Sequence, residues 1–238
     1  MNTNAKHGVS HAELLDYSIA AYAVDENKFK ESIKEGKLVS SYLGDALQTF
    51  TIERDDCYII VYRGSTTKYD WINNVTNFSC SDELQHVNVD QGFLSQISAE
   101  LNPRLDYDKP IYLCGHSLGG ALAILNSFRL IKMNEISGTK NNLLETVVFG
   151  APMVGAQSFF DDCLKLGLSD KITIYRNGDD VTPLLPPVSY KRVGKLVELG
   201  TKHSAWNPIK IYRCLEDHRI MNYFNSLKIY NNQEINNG

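Results

Sequence analysis

The chain has 238 residues, a net charge of −4 at pH 7, and 43% hydrophobic against 22% charged residues. This composition supports a folded core and excludes a disordered chain. The mildly acidic balance argues against a nucleic-acid partner. No apolar run approaches the roughly 18 residues of a membrane-spanning helix, so no transmembrane segment is expected. Residues 1–11 lack the apolar stretch of a signal peptide, which predicts a cytoplasmic protein or export by another route.

The cysteines are five in number and widely spaced, which favours free thiols in a reducing compartment over a disulfide framework. They are Cys57, Cys80, Cys114, Cys163 and Cys214. The sequence contains neither Cys-x-x-Cys nor His-Glu-x-x-His, so no metal ion and no cofactor are expected.

The first half of the chain contains helix, hairpin and polar segments. Ser10 and Glu13 form a capping box, which predicts an amphipathic helix after Ser10. Residues 27–37 are rich in Lys and Glu and predict a solvent-exposed helix. Two β-prone runs, 47–53 and 57–62, flank a polar turn and predict a hairpin. Apolar residues then recur at helical spacing over 68–78.

Strands and helices alternate in the second half, which predicts an α/β protein with a mostly parallel sheet covered on both faces. We predict strands at 111–114, 146–149, 171–176, 195–199 and 209–214, and helices at 93–101, 118–132, 155–166 and 218–227. No repeat or linker interrupts the pattern. The sequence therefore predicts a single domain over 1–230 and a frayed C-terminal tail over 231–238.

A Gly-x-Ser-x-Gly pattern at Gly115, Ser117 and Gly119 connects an apolar strand to a helix-forming run. In this context the serine lies on a tight strand-to-helix turn with an accessible hydroxyl, and the glycines avoid steric collisions at the turn. The N-terminus of the following helix also favours negative charge. The pattern predicts that Ser117 is the nucleophile of an acyl-transfer enzyme.

A serine nucleophile needs a histidine base and a carboxylate that orients it, in the chain order Ser, acid, His on this scaffold. His203 and His218 both satisfy that order, and His218 is preferred because it lies between a late strand and the last helix. Asp179 and Asp180 directly follow a predicted strand, and spacing does not separate them. His116 lies inside the turn and is expected to point elsewhere.

The oxyanion of the tetrahedral intermediate needs two N–H donors near the nucleophile. One expected donor is the backbone N–H of Leu118, directly after Ser117. The other is the backbone N–H of Ser65, in the small polar turn that ends the predicted strand 57–62.

Several segments in this order resemble the class 3 lipases, the fungal-type triacylglycerol lipase family of the α/β-hydrolases. The segments are Tyr62–Ser65, Asp70-Trp71, Gly92-Phe93, Gly115–Ala121, Phe149–Gly155, Asn177–Pro187, and His218 with Tyr223. The resemblance extends from about Leu47 to Phe224. The chain departs from the family at Val89-Asp90-Gln91, where members often have a histidine, and it shows no disulfide pattern of the secreted members.

The resemblance implies an α/β-hydrolase fold with Ser117, Asp180 and His218 as the catalytic triad, and with oxyanion donors at Ser65 and Leu118. It also implies a short lid over about 67–78. The lid and substrate-binding residues would be Trp71, Ile72 and Val75. The expected activity is hydrolysis of lipid acyl esters through an acyl-enzyme, with transient contact with a lipid surface. Alternatives are a phospholipase A1, a monoacylglycerol lipase, a small-ester esterase, or a non-catalytic lipid-binding protein on this scaffold.

Overall fold

The computed structural model describes residues 8–23, 25–44, 47–65, 80–84, 87–90, 109–138, 142–202 and 208–237. In these residues the helices are α1 (His11–Ala20), α2 (Glu26–Ser32), α3 (Leu118–Ser137), α4 (Gln157–Lys165), α5 (Pro208–Asp217) and α6 (Ile220–Asn237). The strands are β1 (Lys37–Leu43), β2 (Gln48–Glu53), β3 (Tyr58–Tyr62), β4 (Cys80–Leu84), β5 (Val87–Asp90), β6 (Ile111–His116), β7 (Leu143–Phe149), β8 (Ile172–Asn177) and β9 (Lys195–Leu199).

The main sheet has seven strands in the order β1-β2-β3-β6-β7-β8-β9. Strands β1, β2 and β3 pair antiparallel. From β3 to β9 every pairing is parallel, with α3 and α4 as crossovers. The prediction of a mostly parallel sheet is therefore confirmed. Strands β4 and β5 form a separate antiparallel pair in a polar region where no strand was predicted.

Each face of the sheet is covered by its own hydrophobic core. Ile111 and Leu113 of β6 pack into the core with α3 and α4, whereas Tyr112 and Cys114 pack into the core with α1, α2 and α6. Successive side chains of a strand point to opposite faces, so β6 is buried on both sides and its carboxyl end is held rigidly. Burial raises the pKa of the Cys114 thiol to about 12, so this thiol is inert at neutral pH.

The capping box that predicted α1 is confirmed. The Ser10 hydroxyl accepts from the Glu13 N–H at 3.2 Å, and the Glu13 carboxylate accepts from the Ser10 N–H at 2.7 Å.

The predicted helix over 27–37 was too long, because α2 ends at Ser32. Gly36, which has a φ of 83°, then lies in the turn before β1. Strand β1 was missed because it lies at the sheet edge and none of its residues is buried, so its sequence carries only a weak apolar pattern.

The prediction of a strand at 209–214 was wrong, because these residues belong to α5. A short apolar run does not distinguish a strand from a helix by periodicity, whereas Pro208 is well suited to a first helical turn. The last helix also extends to Asn237, through most of the segment predicted to fray. Packing of Leu227 and Tyr230 against the sheet supports this helix beyond its predicted end. Within the described residues, no helix is both long and apolar enough to cross a bilayer.

Candidate active site

Ser117 occupies the sharp turn between β6 and α3. Its backbone has φ of 58° and ψ of −125°, a conformation that costs a non-glycine residue about 1–3 kcal/mol. Three backbone bonds hold it there. The Ser117 N–H donates to the Phe149 carbonyl at 2.9 Å, and its carbonyl accepts from the N–H groups of Gly120 at 3.0 Å and Ala121 at 3.2 Å. The strained turn that the sequence predicts is therefore present at Ser117.

Close packing explains two of the glycines at this turn. A Cβ on Gly115 would lie 2.6 Å from the backbone of Gly119, and a Cβ on Gly119 would lie 2.8 Å from the Arg63 carbonyl carbon and would also collide with the Tyr62 carbonyl. These are backbone atoms, which cannot rotate away as the end of a flexible side chain does. The start of α3 thus packs directly on β6 and on the turn after β3.

Replacing Gly119 with alanine is expected to lower both the stability and the ester hydrolysis that the family resemblance implies. The added methyl group would force the Tyr62–Arg63 backbone away from α3, at a cost of about 1–3 kcal/mol. Urea unfolding and steady-state kinetics measure the two effects. Gly138→Ala at the end of α3 is the comparison, because an added Cβ there meets no atom within 4 Å, while its φ of 69° strains alanine. We expect that variant to lose some stability and to keep its turnover. Full turnover by Gly119→Ala would contradict the packing argument.

Three side chains from distant parts of the chain meet at this edge of the sheet. His218 Nε2 lies 2.8 Å from Ser117 Oγ, and His218 Nδ1 lies 2.8 Å from Asp180 Oδ2. The carboxylate accepts the Nδ1–H of the neutral ring, so Nε2 keeps its lone pair and accepts the hydroxyl of Ser117. The structure therefore brings Ser117, His218 and Asp180 together in the order that proton transfer from the serine requires.

Asp180 is only 1% exposed, and burial by itself raises a carboxyl pKa. The charge of His218 and hydrogen bonds from His218, Tyr223 and Thr182 outweigh this effect and hold the pKa of Asp180 below its ordinary value. The Tyr223 hydroxyl donates to Oδ2, and the Thr182 N–H donates to Oδ1 at 2.8 Å. The Thr182 hydroxyl oxygen also lies 3.0 Å from His218 Nδ1. Asp180 is thus a fixed, charged acceptor.

The two acid candidates from the sequence have different surroundings. The carboxylate that contacts His218 belongs to Asp180, whereas the Asp179 N–H donates to the Asp217 carboxylate at 2.8 Å. Asp217 directly precedes His218, so this bond joins the loop of the acid to the end of α5. The other histidine candidate, His203, lies outside the described residues.

The sequence led us to expect that His116 points away from the catalytic residues, whereas its ring contacts the main chain of His218. Its Nε2 lies 2.7 Å from the main-chain carbonyl oxygen of His218, and its Nδ1 lies 2.8 Å from the Tyr22 hydroxyl. Burial first, and the charge of His218 second, lower the pKa of His116 to about 3. His116 is therefore a neutral ring beside the base. No sequence signal links it to Tyr22 or to His218.

The turn after β3 lies next to Ser117. Strand β3 pairs with β6 so that Tyr62 is opposite Gly115, and a Cβ on Gly64 would lie 2.6 Å from the His116 carbonyl oxygen. Ser65 follows this turn directly. On the other side of Ser117, the N–H of Leu118 begins α3 and has no intrahelical acceptor. The predicted lid over 67–78, with Trp71, Ile72 and Val75, lies outside the described residues.

Known proteins with similar sequences include lipases and phospholipases. The chain is 33% identical over 141 residues to the lipase of Rhizomucor miehei, covering 55% of this chain and 38% of that protein. It is 30% identical over 132 residues to phospholipase A1-IIgamma of Arabidopsis thaliana, covering 52% of this chain and 31% of that protein. The chain thus spans about a third of the length of these curated relatives.

The fold is also that of solved lipases. The structure of the Rhizomucor miehei triacylglyceride lipase superposes with a TM-score of 0.65 at 22% identity, covering 79% of this chain and 78% of that one. This likeness shows that the fold is the α/β-hydrolase fold of the lipases. Residues 59–190, more than half of the chain and including both Ser117 and Asp180, match the family Lipase (class 3). The chain is therefore a member of the class 3 lipase family.

Proposed function

We propose that this protein is a serine carboxylic-ester hydrolase that cleaves the acyl esters of lipids. The observation that carries the proposal is the hydrogen-bonded series from Ser117 through His218 to Asp180 at the carboxyl end of β6. A serine hydroxyl becomes a strong nucleophile only when a base accepts its proton during attack. The buried Asp180 carboxylate fixes the tautomer of His218 that accepts this proton.

In the first half of the proposed reaction, Ser117 Oγ attacks the ester carbonyl carbon while His218 Nε2 takes its proton. The carbonyl oxygen becomes an oxyanion, which accepts hydrogen bonds from the backbone N–H groups of Ser65 and Leu118. Each such donor contributes roughly a hundred- to a thousand-fold in rate. The tetrahedral intermediate then expels the alcohol, which receives its proton from His218, and leaves the acyl group on Ser117.

In the second half, His218 takes a proton from a water molecule, and the resulting hydroxyl attacks the acyl-enzyme carbonyl. The same two N–H donors stabilise the second oxyanion. Collapse of this intermediate releases the carboxylic acid, and His218 returns the proton to Ser117. Acyl transfer through these residues needs no metal ion or organic cofactor to balance its atoms and charges.

The proposed substrate is a lipid acyl ester of the triacylglycerol type. Support comes from the relatives, which include a Rhizomucor miehei lipase and an Arabidopsis thaliana phospholipase A1. The similarity to the phospholipase A1 favours phospholipids as the alternative substrate class. Residues 67–78 would act as a lid whose apolar residues Trp71, Ile72 and Val75 contact the lipid surface. Exposing such residues costs free energy in water and is favourable at a lipid interface.

The proposal is tested by fatty-acid release from a panel of esters. The panel contains tributyrin, triolein, monoolein, phosphatidylcholine and p-nitrophenyl butyrate, and a fluorophosphonate probe is applied in parallel. We expect release from at least one lipid ester and labelling at Ser117. A protein that hydrolyses no ester and is not labelled would instead be the non-catalytic lipid-binding protein.

The proposed lid is tested by the rate of tributyrin hydrolysis at increasing tributyrin concentration. We expect the rate to rise steeply at the concentration where droplets form. A plain hyperbola would contradict activation at the lipid surface.

A further inference from the structure

The main chain around His218 is held by side chains from several parts of the fold. Helix α5 ends at Asp217, and the last carbonyls of a helix have no intrahelical donors. The Glu216 carbonyl accepts from the Asn222 amide at 2.7 Å, and the Asp217 carbonyl accepts from the Asn177 amide at 3.0 Å. The third bond of the series, from His116 to the His218 carbonyl, comes from the residue beside the nucleophile.

From this geometry we infer that His116 is a positioning residue, which fixes the main chain of the base relative to the turn that carries Ser117. In the proposed reaction it acts through His218, and no step uses its side chain directly. The inference rests on the proposed function, since it assigns a role in the same reaction. Ser117 and His116 are adjacent in sequence, so any shift of His218 away from the turn has to break the bond between His116 and the His218 carbonyl.

The protons of this network have one consistent arrangement. A main-chain carbonyl only accepts, so His116 Nε2 has to carry the hydrogen that it donates to His218. The ring is neutral, because burial keeps its pKa at about 3, and Nδ1 is therefore an acceptor. The Tyr22 hydroxyl, 2.8 Å away, donates to it. Burial raises the pKa of Tyr22, so this hydroxyl stays protonated. Tyr22 thus selects the tautomer of His116 that binds the base.

The functional consequence concerns the distance between His218 Nε2 and Ser117 Oγ, which is 2.8 Å. A misplacement of about 1 Å in a reacting group lowers the rate of an enzyme by about a hundredfold. Asp180 and Thr182 hold the far side of the ring through Nδ1. These contacts hold the ring, whereas the bond from His116 holds the main chain of the same residue, so the ring and the backbone of the base are fixed separately.

The experiment compares His116→Leu with His116→Gln. Leucine removes the donor and keeps an apolar volume, whereas the glutamine amide places an N–H near the position of imidazole Nε2. Active sites are counted by fluorophosphonate titration, so that turnover refers to folded, reactive protein. We expect kcat per titrated site to fall about tenfold or more in His116→Leu, with KM within about twofold, and to recover in His116→Gln to within about threefold of wild type.

Asn222→Ala is the matched control, because it removes a side-chain bond to a neighbouring carbonyl of the same helix end. It should leave kcat per site within about twofold of wild type, because the Glu216 carbonyl still accepts from the Arg219 N–H at 2.9 Å and the His218 carbonyl keeps its bond from His116. The inference is overturned if His116→Leu keeps wild-type kcat per site, if glutamine restores nothing, or if Asn222→Ala loses as much as His116→Leu. If His116→Leu does not fold, Tyr22→Phe decides, with a lower kcat per site expected and an unchanged one overturning the inference. A wild-type protein without activity or labelling would instead refute the proposed function.

Discussion

Replacing Ser117 with alanine is expected to lower ester turnover by about ten-thousand-fold or more, because the acyl-enzyme pathway loses its nucleophile. The two proposed oxyanion donors and the substrate contacts would remain, so a small residual rate above that in water is expected. The measurement is kcat with the preferred ester from the panel, on protein free of contaminating esterase. Fluorophosphonate labelling should disappear together with the activity.

The fold should survive this substitution. The Ser117 side chain makes no capping bond to α3, and the bonds that hold the turn come from its backbone. Alanine at a φ of 58° adds no atom that serine lacks, so the strain of the turn stays about the same. We expect circular dichroism and the thermal midpoint to match wild type. A Ser117→Ala protein that folds and turns over within tenfold of wild type would refute the role of Ser117.

The turn at Ser117 could be predicted because its requirements are local. A residue with positive φ between a buried strand and a helix needs small neighbours, and Gly115 and Gly119 supply them within four residues of sequence. The capping box at Ser10 is local in the same sense. The α/β architecture followed from the alternation of apolar strands with helices. Each of these features is specified by residues that are close together in sequence.

Contacts between distant residues were harder to predict. Tyr223 donates to Asp180 across 43 positions, and His116 contacts Tyr22 across 94. No spacing rule connects such residues before the fold is known. The error at 209–214 has the same origin, because only packing decides whether a short apolar run forms a helix. His218 therefore follows a helix end and not a strand, which is why the carbonyl contacts around it were not anticipated.

Replacing Asp180 with asparagine is expected to lower kcat by about ten-thousand-fold while changing a single atom. Oδ1 of Asp180 accepts from the Thr182 N–H, and Oδ2 accepts from His218 and Tyr223. An asparagine amide has to present its NH2 group to one of these sites. If the NH2 group faces Thr182, two N–H donors point at each other, and the backbone N–H of Thr182 cannot become an acceptor. Facing His218, it is accommodated if the ring moves its proton from Nδ1 to Nε2.

Each orientation keeps two of the three bonds, but only the first sets the amide NH2 against a backbone N–H that cannot reorient. The second orientation is therefore favoured, and it abolishes the base. With its hydrogen on Nε2, His218 donates toward Ser117 and has no lone pair for the serine proton. The hydroxyl of Tyr223 would also lose its acceptor, which costs about 1–3 kcal/mol in a buried site. We therefore expect the large decrease in kcat to occur with KM nearly unchanged. The free energy of unfolding should decrease modestly.

Asp179→Asn is the matched control, because the two carboxylates are adjacent and the sequence by itself did not separate them. The bond from Asp179 to Asp217 uses the backbone N–H, which the substitution keeps. We expect Asp179→Asn to retain kcat within about threefold of wild type, since its side chain is not the acceptor of His218 Nδ1. Equal losses in the two variants would mean that negative charge near the base matters more than its tautomer. If Asp179→Asn loses activity and Asp180→Asn keeps it, the catalytic acid is Asp179 and the assignment to Asp180 is wrong. The pair of variants thus separates the orientation of the imidazole from the local charge.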